Sequence, residues 1–250
     1  MFDVNDDDRI QSATGGEPGG SGEPDTPADS DVPEDPEDVP GTPDGTPLPG
    51  VGPWDGPWPD DARYDPELLA LGDRRNVVDR YRYWRREAIV EDLDRRRHSF
   101  HVAIENWQHD FNIGSVVRTA NAFLAAEVHI VGRRRWNRRG AMVTDRYQHI
   151  RHHPNLAALT AWAHDQELQV IGIDNLPGAV PLETVDLPRR CVLLFGQEGP
   201  GLSDSAREYV DRCVSIAQFG STRSINAGAA AAIAMHTWIR QHAPLPPPQA

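Results

Sequence analysis

The chain has 250 residues and a formal net charge of −13, and all 25 of its Lys/Arg positions are Arg. With no Lys, Schiff-base chemistry and a lysine-bearing phosphate loop are excluded. The charge is unevenly placed: residues 1–66 hold 18 acidic and 2 basic groups with 13 Pro and 10 Gly, whereas residues 67–250 hold 20 acidic and 23 basic groups. The acidity therefore belongs to the first part, and the remaining body is long enough to bury one good core.

Residues 1 to about 60 alternate Pro, Gly, Asp, Glu, Ser and Thr, and so bury too little to offset their ordering entropy. A disordered acidic tail is expected, able to compete with an anionic ligand for an Arg-rich surface. Trp54 and Trp58 are its exceptions, either docking the end of the tail on the body or standing in a solvated linker. The opening MFDVNDDD has neither a basic nor an apolar stretch, so no secretory leader is expected. No apolar run reaches the ~18–20 residues of a membrane span. A soluble, cytoplasmic protein is the expectation.

Residues 61–97 read as an Arg-rich helical extension. Leu68, Leu69, Leu71, Val77, Val78, Tyr81, Trp84, Ile89 and Val90 recur near a 3.6 period, with a break at Gly72-Asp73 that predicts two helices. Arg74, Arg75, Arg80, Arg82, Arg85, Arg86 and Arg95 to Arg97 form either a solvated outer face or a phosphate-contacting one.

Ser99–Glu105 alternates like a first strand. Asn112 is placed to cap a helix whose apolar face runs from Gly114 to Leu124. Arg118 on that helix either reaches solvent along its stem or points inward for function. Glu127–Gly132 is the next strand. It runs into five Arg around one Trp: Arg133, Arg134, Arg135, Trp136, Arg138 and Arg139. Guanidinium groups bind phosphate bidentately, and both Arg and Trp stack on bases, so nucleic-acid contact is favoured over a solvated turn or an oligomer contact. His149, His152 and His153 follow without carboxylate or Cys spacing for a metal, and no metal is expected. A helix over 156–166, a strand over 168–174 and a connecting loop over 177–188 come next.

Two late apolar runs, Cys191–Phe195 and Cys213–Ala217, each break into a loop rich in Gly and small residues, and an Ala-rich helix starts at Ala227. Their Cys residues, the only two, read as buried reduced thiols. Such loops at strand ends predict a small-molecule crevice made largely of backbone. The fold class is α/β, a mostly parallel sheet with helices on both faces.

Three islands then resemble one pattern. Asn112-Ile113-Gly114 with Arg118-Thr119-Ala120 is similar to the first motif of the SpoU/TrmH RNA 2′-O-ribose methyltransferases, Leu193 to Leu202 to the second, and Ile216 to Ala230 to the third. The resemblance covers about residues 99–242. It implies a SPOUT-like C-terminal trefoil knot within a domain over 98–243; residues 244–250 read by composition as a Pro-rich tail. It also implies S-adenosylmethionine as donor, a homodimer, and a tRNA or rRNA ribose as acceptor, with a guanosine in tRNA preferred.

Carried over by position, Ile173, Gly196, Gly201, Ile216, Ser224, Ile225 and Asn226 would hold the cofactor. Arg118, Asn112, Glu198, Ser224 and Asn226 would form the catalytic set. Arg133, Arg134, Arg135, Arg138, Arg139 and Arg223 would contact RNA. The chain departs from the pattern at Asp110, where Pro is usual, at Gln218, where Met is common, and at Gly228, where Ser is common. A module of the same fold that binds RNA without turnover is the alternative.

Overall fold

The computed structural model describes residues 50–244 apart from His109 and Glu198. The expected tail lies outside the described residues up to position 49, as does the Pro-rich end from 245.

The described end of the segment expected to be a tail is packed on the body. Val51 pairs with Asp73, and the Trp54 N–H donates to the Leu69 carbonyl at 2.9 Å. The Trp54 ring stands edge-on to Tyr64 and Tyr83, so this Trp docks, whereas Trp58 remains exposed. α1 (Pro66–Leu71) is capped by the Asp65 carboxylate, starts on Pro66 and stops at Gly72, whose φ of 98° suits Gly.

The second expected helix is much shorter, α2 (Arg86–Asp94), after a single 3₁₀ turn at Asp79–Tyr81. The cause is Asp73. Its fully buried carboxylate accepts from the Arg75 N–H, Nε and Nη2 and from the Tyr83 N–H, which coils residues 73–84 around one buried ion pair. Burial pushes the Asp73 carboxyl up, but these donors outweigh it and hold the pKa below the ordinary value. Leu71 and Val78, expected on the apolar face, are 69% and 54% exposed. Several extension Arg are also committed inward. The Arg97 guanidinium donates to Gln148 and to the Tyr147 and Ala125 carbonyls, joining the extension to the body.

The body alternates strands and helices: β1 (Phe100–Asn106), α3 (Ile113–Ala122), β2 (Val128–Gly132), β3 (Ile150–His153), α4 (Leu156–Asp165) and β4 (Gln169–Ile173). β5 (Val180–Pro181), β6 (Cys191–Phe195), α5 (Asp204–Tyr209), β7 (Arg212–Ser215) and α6 (Ala227–His242) complete it. The seven strands form one sheet in the order β3-β2-β1-β6-β4-β7-β5, every pairing parallel.

Three elements escape the sequence reading. β3 is an edge strand spelled IRHH with no apolar alternation. β5 is two residues inside the segment expected to be a loop. α5 is a six-residue helix.

Both sheet faces are covered, which is why β6 reads as the unbroken apolar run CVLLF. Cys191, Leu193 and Phe195 face a core shared with Val116 and Val117 of α3 and Ala231, Met235 and Trp238 of α6. Val192 and Leu194 face the opposite core with Leu159 of α4 and Ala206 of α5. Trp238, buried against Phe100 at 4.5 Å between ring centres, also donates its Nε1–H to the Pro188 carbonyl. Both Cys are free thiols; Cys191 is buried and Cys213 half-buried.

Candidate active site

Strand order places the ends of β4, β6 and β7 side by side, and a pocket opens at that carboxyl edge. Its first wall is the loop after β6. Here a Cβ on Gly196 would sit 1.9 Å from the Gly201 carbonyl carbon, so only Gly lets this turn close on itself. The Gln197 N–H and Gly201 N–H each donate to the other residue's carbonyl, at 3.1 and 3.2 Å.

Side chains from neighbouring strands hold the loop. The Leu202 N–H donates to Asp174 Oδ2 at 2.8 Å, and the Ser203 N–H and hydroxyl donate to the buried Glu105 carboxylate at 2.8 and 2.7 Å. Gln197 Oε1 accepts from the Trp107 and Gln108 N–H groups at 3.0 and 2.6 Å. The second wall is the loop after β7. Asn175 Nδ2 donates to its Arg223 carbonyl at 3.2 Å. Gln218 lines the pocket, and its Oε1 is sealed from solvent with no hydrogen-bond partner.

Sequence reasoning missed Glu105, Asp174 and Gln197 as holders of these walls. The available signal was a carboxylate closing an apolar run, in VAIE and VIGID.

Of the expected cofactor residues, Ile173, Gly196, Gly201, Ile216, Ser224 and Ile225 line the pocket. Asn226 does not line it; its Oδ1 accepts from the Gly228 and Ala229 N–H groups at the start of α6. Asn226 Nδ2 donates to Asn112 Oδ1 at 2.9 Å. Asn112 does occupy the N-cap position of α3, but its side chain makes no cap there and turns to Asn226 instead. Arg118 is exposed on α3, outside the pocket lining. Glu198 lies outside the described residues.

Two close approaches gather these helix ends. A Cβ on Gly114 would come within 2.6 Å of the Gly140 Cα, which seats the Arg-rich turn against α3. A Cβ on Gly228 would lie 3.4 Å from the Ser115 Cβ. Arg133, Arg134, Arg135, Arg138 and Arg139 are all exposed, with Arg138 over the Trp136 ring at 5.9 Å, and Arg223 is exposed as well.

A second polar cluster lies inside the sheet. His101 Nδ1 and His129 Nε2 are hydrogen-bonded at 3.0 Å, and His129 Nδ1 and His153 Nε2 at 2.9 Å, one ring from each of β1, β2 and β3. Trp162 of α4 packs on all three rings. Burial pushes His101 and His153 down to about 4 and His129 well below 6.5, helped by neighbouring positive charge. His101, Glu127 and His129 bring possible metal-donor atoms within 4.8 Å of one another. Both Glu127 oxygens, however, already accept from Arg151 Nε at 3.1 Å, and the two rings satisfy each other. Of the three His read for metal from the sequence, only His153 joins this cluster. His149 bonds Asp94 and His152 bonds the Gly132 carbonyl.

Residues 99–236, from β1 into α6, match the model of the SpoU rRNA Methylase family. The chain belongs to that family. Among curated SpoU relatives, the tRNA (guanosine(18)-2′-O)-methyltransferase of Escherichia coli K12 is 27% identical over 156 residues, 61% of this chain and 68% of that protein. A Mycolicibacterium vanbaalenii protein named "Uncharacterized tRNA/rRNA methyltransferase" is 35% identical over 147 residues, 56% of this chain but 46% of that one, so the match spans about half its length. The fold is shared with the A. aeolicus TrmH/SpoU tRNA modifying enzyme, with a TM-score of 0.56 at 21% identity over 62% of this chain and 81% of that one. It is shared also with the SpoU methyltransferase AviRb of Streptomyces viridochromogenes, solved in complex with AdoMet, with a TM-score of 0.53 at 25% identity over 60% of each chain. Among the described residues no helix is long and apolar enough to cross a membrane.

Proposed function

We propose that this chain transfers a methyl group from S-adenosylmethionine to a ribose 2′-hydroxyl of tRNA or rRNA, with a guanosine in tRNA as the preferred acceptor. The observation that carries the reading is the carboxyl-edge pocket, in which Ile173, Gly196, Ile216 and Ile225 converge in a chain of the SpoU family. The residues present suit that cofactor. Ile173, Phe195, Ile216 and Ile225 offer apolar surface for an adenine ring, and a buried acceptor on Gln218 awaits a donor.

When bound, S-adenosylmethionine supplies a methyl group on a sulfonium sulfur that already leaves as a neutral thioether. The chain's own residues have to place the hydroxyl oxygen roughly 3–3.5 Å from that carbon, in line with the leaving sulfur. Ile173, Gly196, Ile216 and Ile225 would hold that donor, and the site has to leave the hydroxyl proton a path to water as the methyl group is taken up. A guanidinium is a donor fork with no acceptor, so the role of Arg118 is to clamp the neighbouring phosphate and polarise the hydroxyl.

Because Arg118 stands outside the pocket lining of its own subunit, it serves the pocket of a second copy in a homodimer. Asn112 and Asn226 fix the start of the Arg118 helix against that of α6. Ser224 shapes the second loop, and the loops belong to a C-terminal trefoil knot; Glu198 is kept in the catalytic set by the family resemblance alone. Arg133 to Arg135, Arg138, Arg139 and Arg223 bind the RNA backbone beside the site. The organisation is a 61–97 extension, a 98–243 catalytic domain and a 244–250 tail, in a cytoplasmic protein.

Radiolabelled methyl transfer to total RNA tests the reading. The wild-type chain labels the ribose 2′-oxygen, and Arg118→Ala abolishes transfer while binding S-adenosylmethionine normally. A chain that binds RNA and transfers no methyl group is an inactive module of the same fold.

A further inference from the structure

Four described side chains hide a polar atom from solvent without a hydrogen-bond partner: Arg82, Asn121, Thr160 and Gln218. Only Gln218 lines the pocket. Folded proteins leave few such atoms unpaired, because a buried acceptor that has lost water and gained nothing destabilises the fold. Two other side-chain acceptors that line the pocket are committed. Asp174 takes the Leu202 and Asn175 N–H groups, and Gln197 takes those of Trp107 and Gln108. Gln218 Oε1 is the buried acceptor left for a ligand.

Its loop is otherwise lightly held. Among the described residues, the bond from Asn175 to the Arg223 carbonyl is the one hydrogen bond that reaches residues 218–225. A ligand bond at Gln218 would therefore both satisfy the acceptor and fasten the second wall.

We propose that Gln218 is a cofactor-specificity residue whose Oε1 accepts a hydrogen bond from an N–H group of the methyl donor. This rests on the cofactor reading above. S-adenosylmethionine carries two such groups, the 6-amino group of adenine and the α-ammonium of its methionine part. A thioether at this position, as in the family pattern, is only a weak acceptor.

Calorimetry with S-adenosylmethionine and with 5′-deoxy-5′-methylthioadenosine, which lacks the amino-acid part, tests this on the full chain. Gln218→Met keeps the length of the side chain and removes the acceptor. It is expected to weaken S-adenosylmethionine binding about tenfold, the size of one lost hydrogen bond. Gln218→Leu repeats the loss if the Met variant folds poorly.

Without ligand, the variant melts at or above the wild-type temperature, because an unpaired buried acceptor has gone. A general disruption of the loop would lower it. The same loss with methylthioadenosine assigns the partner as the 6-amino group, and a loss confined to S-adenosylmethionine assigns the α-ammonium. Wild-type affinity in both folded variants overturns the proposal while leaving the cofactor reading intact. A wild-type chain that takes up neither ligand sinks both.

Discussion

The carboxyl-edge pocket and the histidine ladder are two polar features of one parallel sheet, built by opposite means. The pocket is open, and its walls are backbone turns that close because Gly196 and Gly201 have no Cβ in the way. The ladder is closed. It consists of three side chains hydrogen-bonded in a row under the Trp162 ring. A backbone-built site leaves its groups free for a ligand, whereas a side-chain ladder consumes its own hydrogen-bonding capacity. The comparison predicts that pocket variants change ligand affinity, and that ladder variants change stability and its response to acid.

The largest effect is expected at Gly196→Ala. Its methyl group would overlap the Gly201 backbone, so donor binding falls below detection in calorimetry and the fold loses roughly 1–3 kcal/mol or more. In the ladder, His129→Leu removes the shared partner of His101 and His153 and costs about 1–3 kcal/mol in urea unfolding at pH 7, while donor affinity stays at the wild-type value.

Acid acts on the same groups. His101 and His153 titrate near 4 in the folded chain against an ordinary 6.5, so between those values the folded chain binds fewer protons than the unfolded one. Stability is therefore full above pH 6.5 and falls as the pH drops towards 4. The loss by pH 4.5 is on the order of 1–3 kcal/mol after allowing for partial solvent contact. Melting temperature against pH measures it, and His101→Phe should flatten the curve; an unchanged slope would show that the acid sensitivity lies elsewhere.

Asp174→Ala removes the acceptor that holds the Leu202 N–H, and about a tenfold loss in donor affinity is expected, with Asp174→Asn losing less because an amide oxygen remains. The smallest effect is at the Arg turn. Arg134→Ala should lower the salt dependence of RNA binding by about 0.7–0.9 in log–log slope, with little change in melting temperature. An unchanged slope would remove that guanidinium from the RNA surface.

How much was legible follows from the same contrast. Gly-rich turns after apolar runs announce a backbone pocket in one dimension, and Ile173, Gly196, Ile216 and Ile225 indeed converge there. The ladder had no such signal. His101, His129 and His153 meet only because three strands pair in one register, with His129 opposite Ala103 and His153 opposite Val131. Asn112 is the instructive intermediate. Its cap position was readable, but its bond to Asn226, 114 residues away, was not. The extension departs from its expected helices for a local reason: the periodicity of residues 68–90 does not encode the buried Asp73–Arg75 pair that coils the chain.

The sequence by itself determined the alternation of strands and helices, the doubly covered sheet, the position of the glycine turns and the family. Each depends on local composition and spacing, which act over a few residues. Tertiary structure alone decided that β6 lies between β1 and β4, that Asp174 and Glu105 close the pocket wall, and that Gln218 keeps a buried acceptor without a partner. These depend on which distant groups share a few ångströms. Hydrogen bonding and desolvation act over that distance, and spacing along the chain does not encode it.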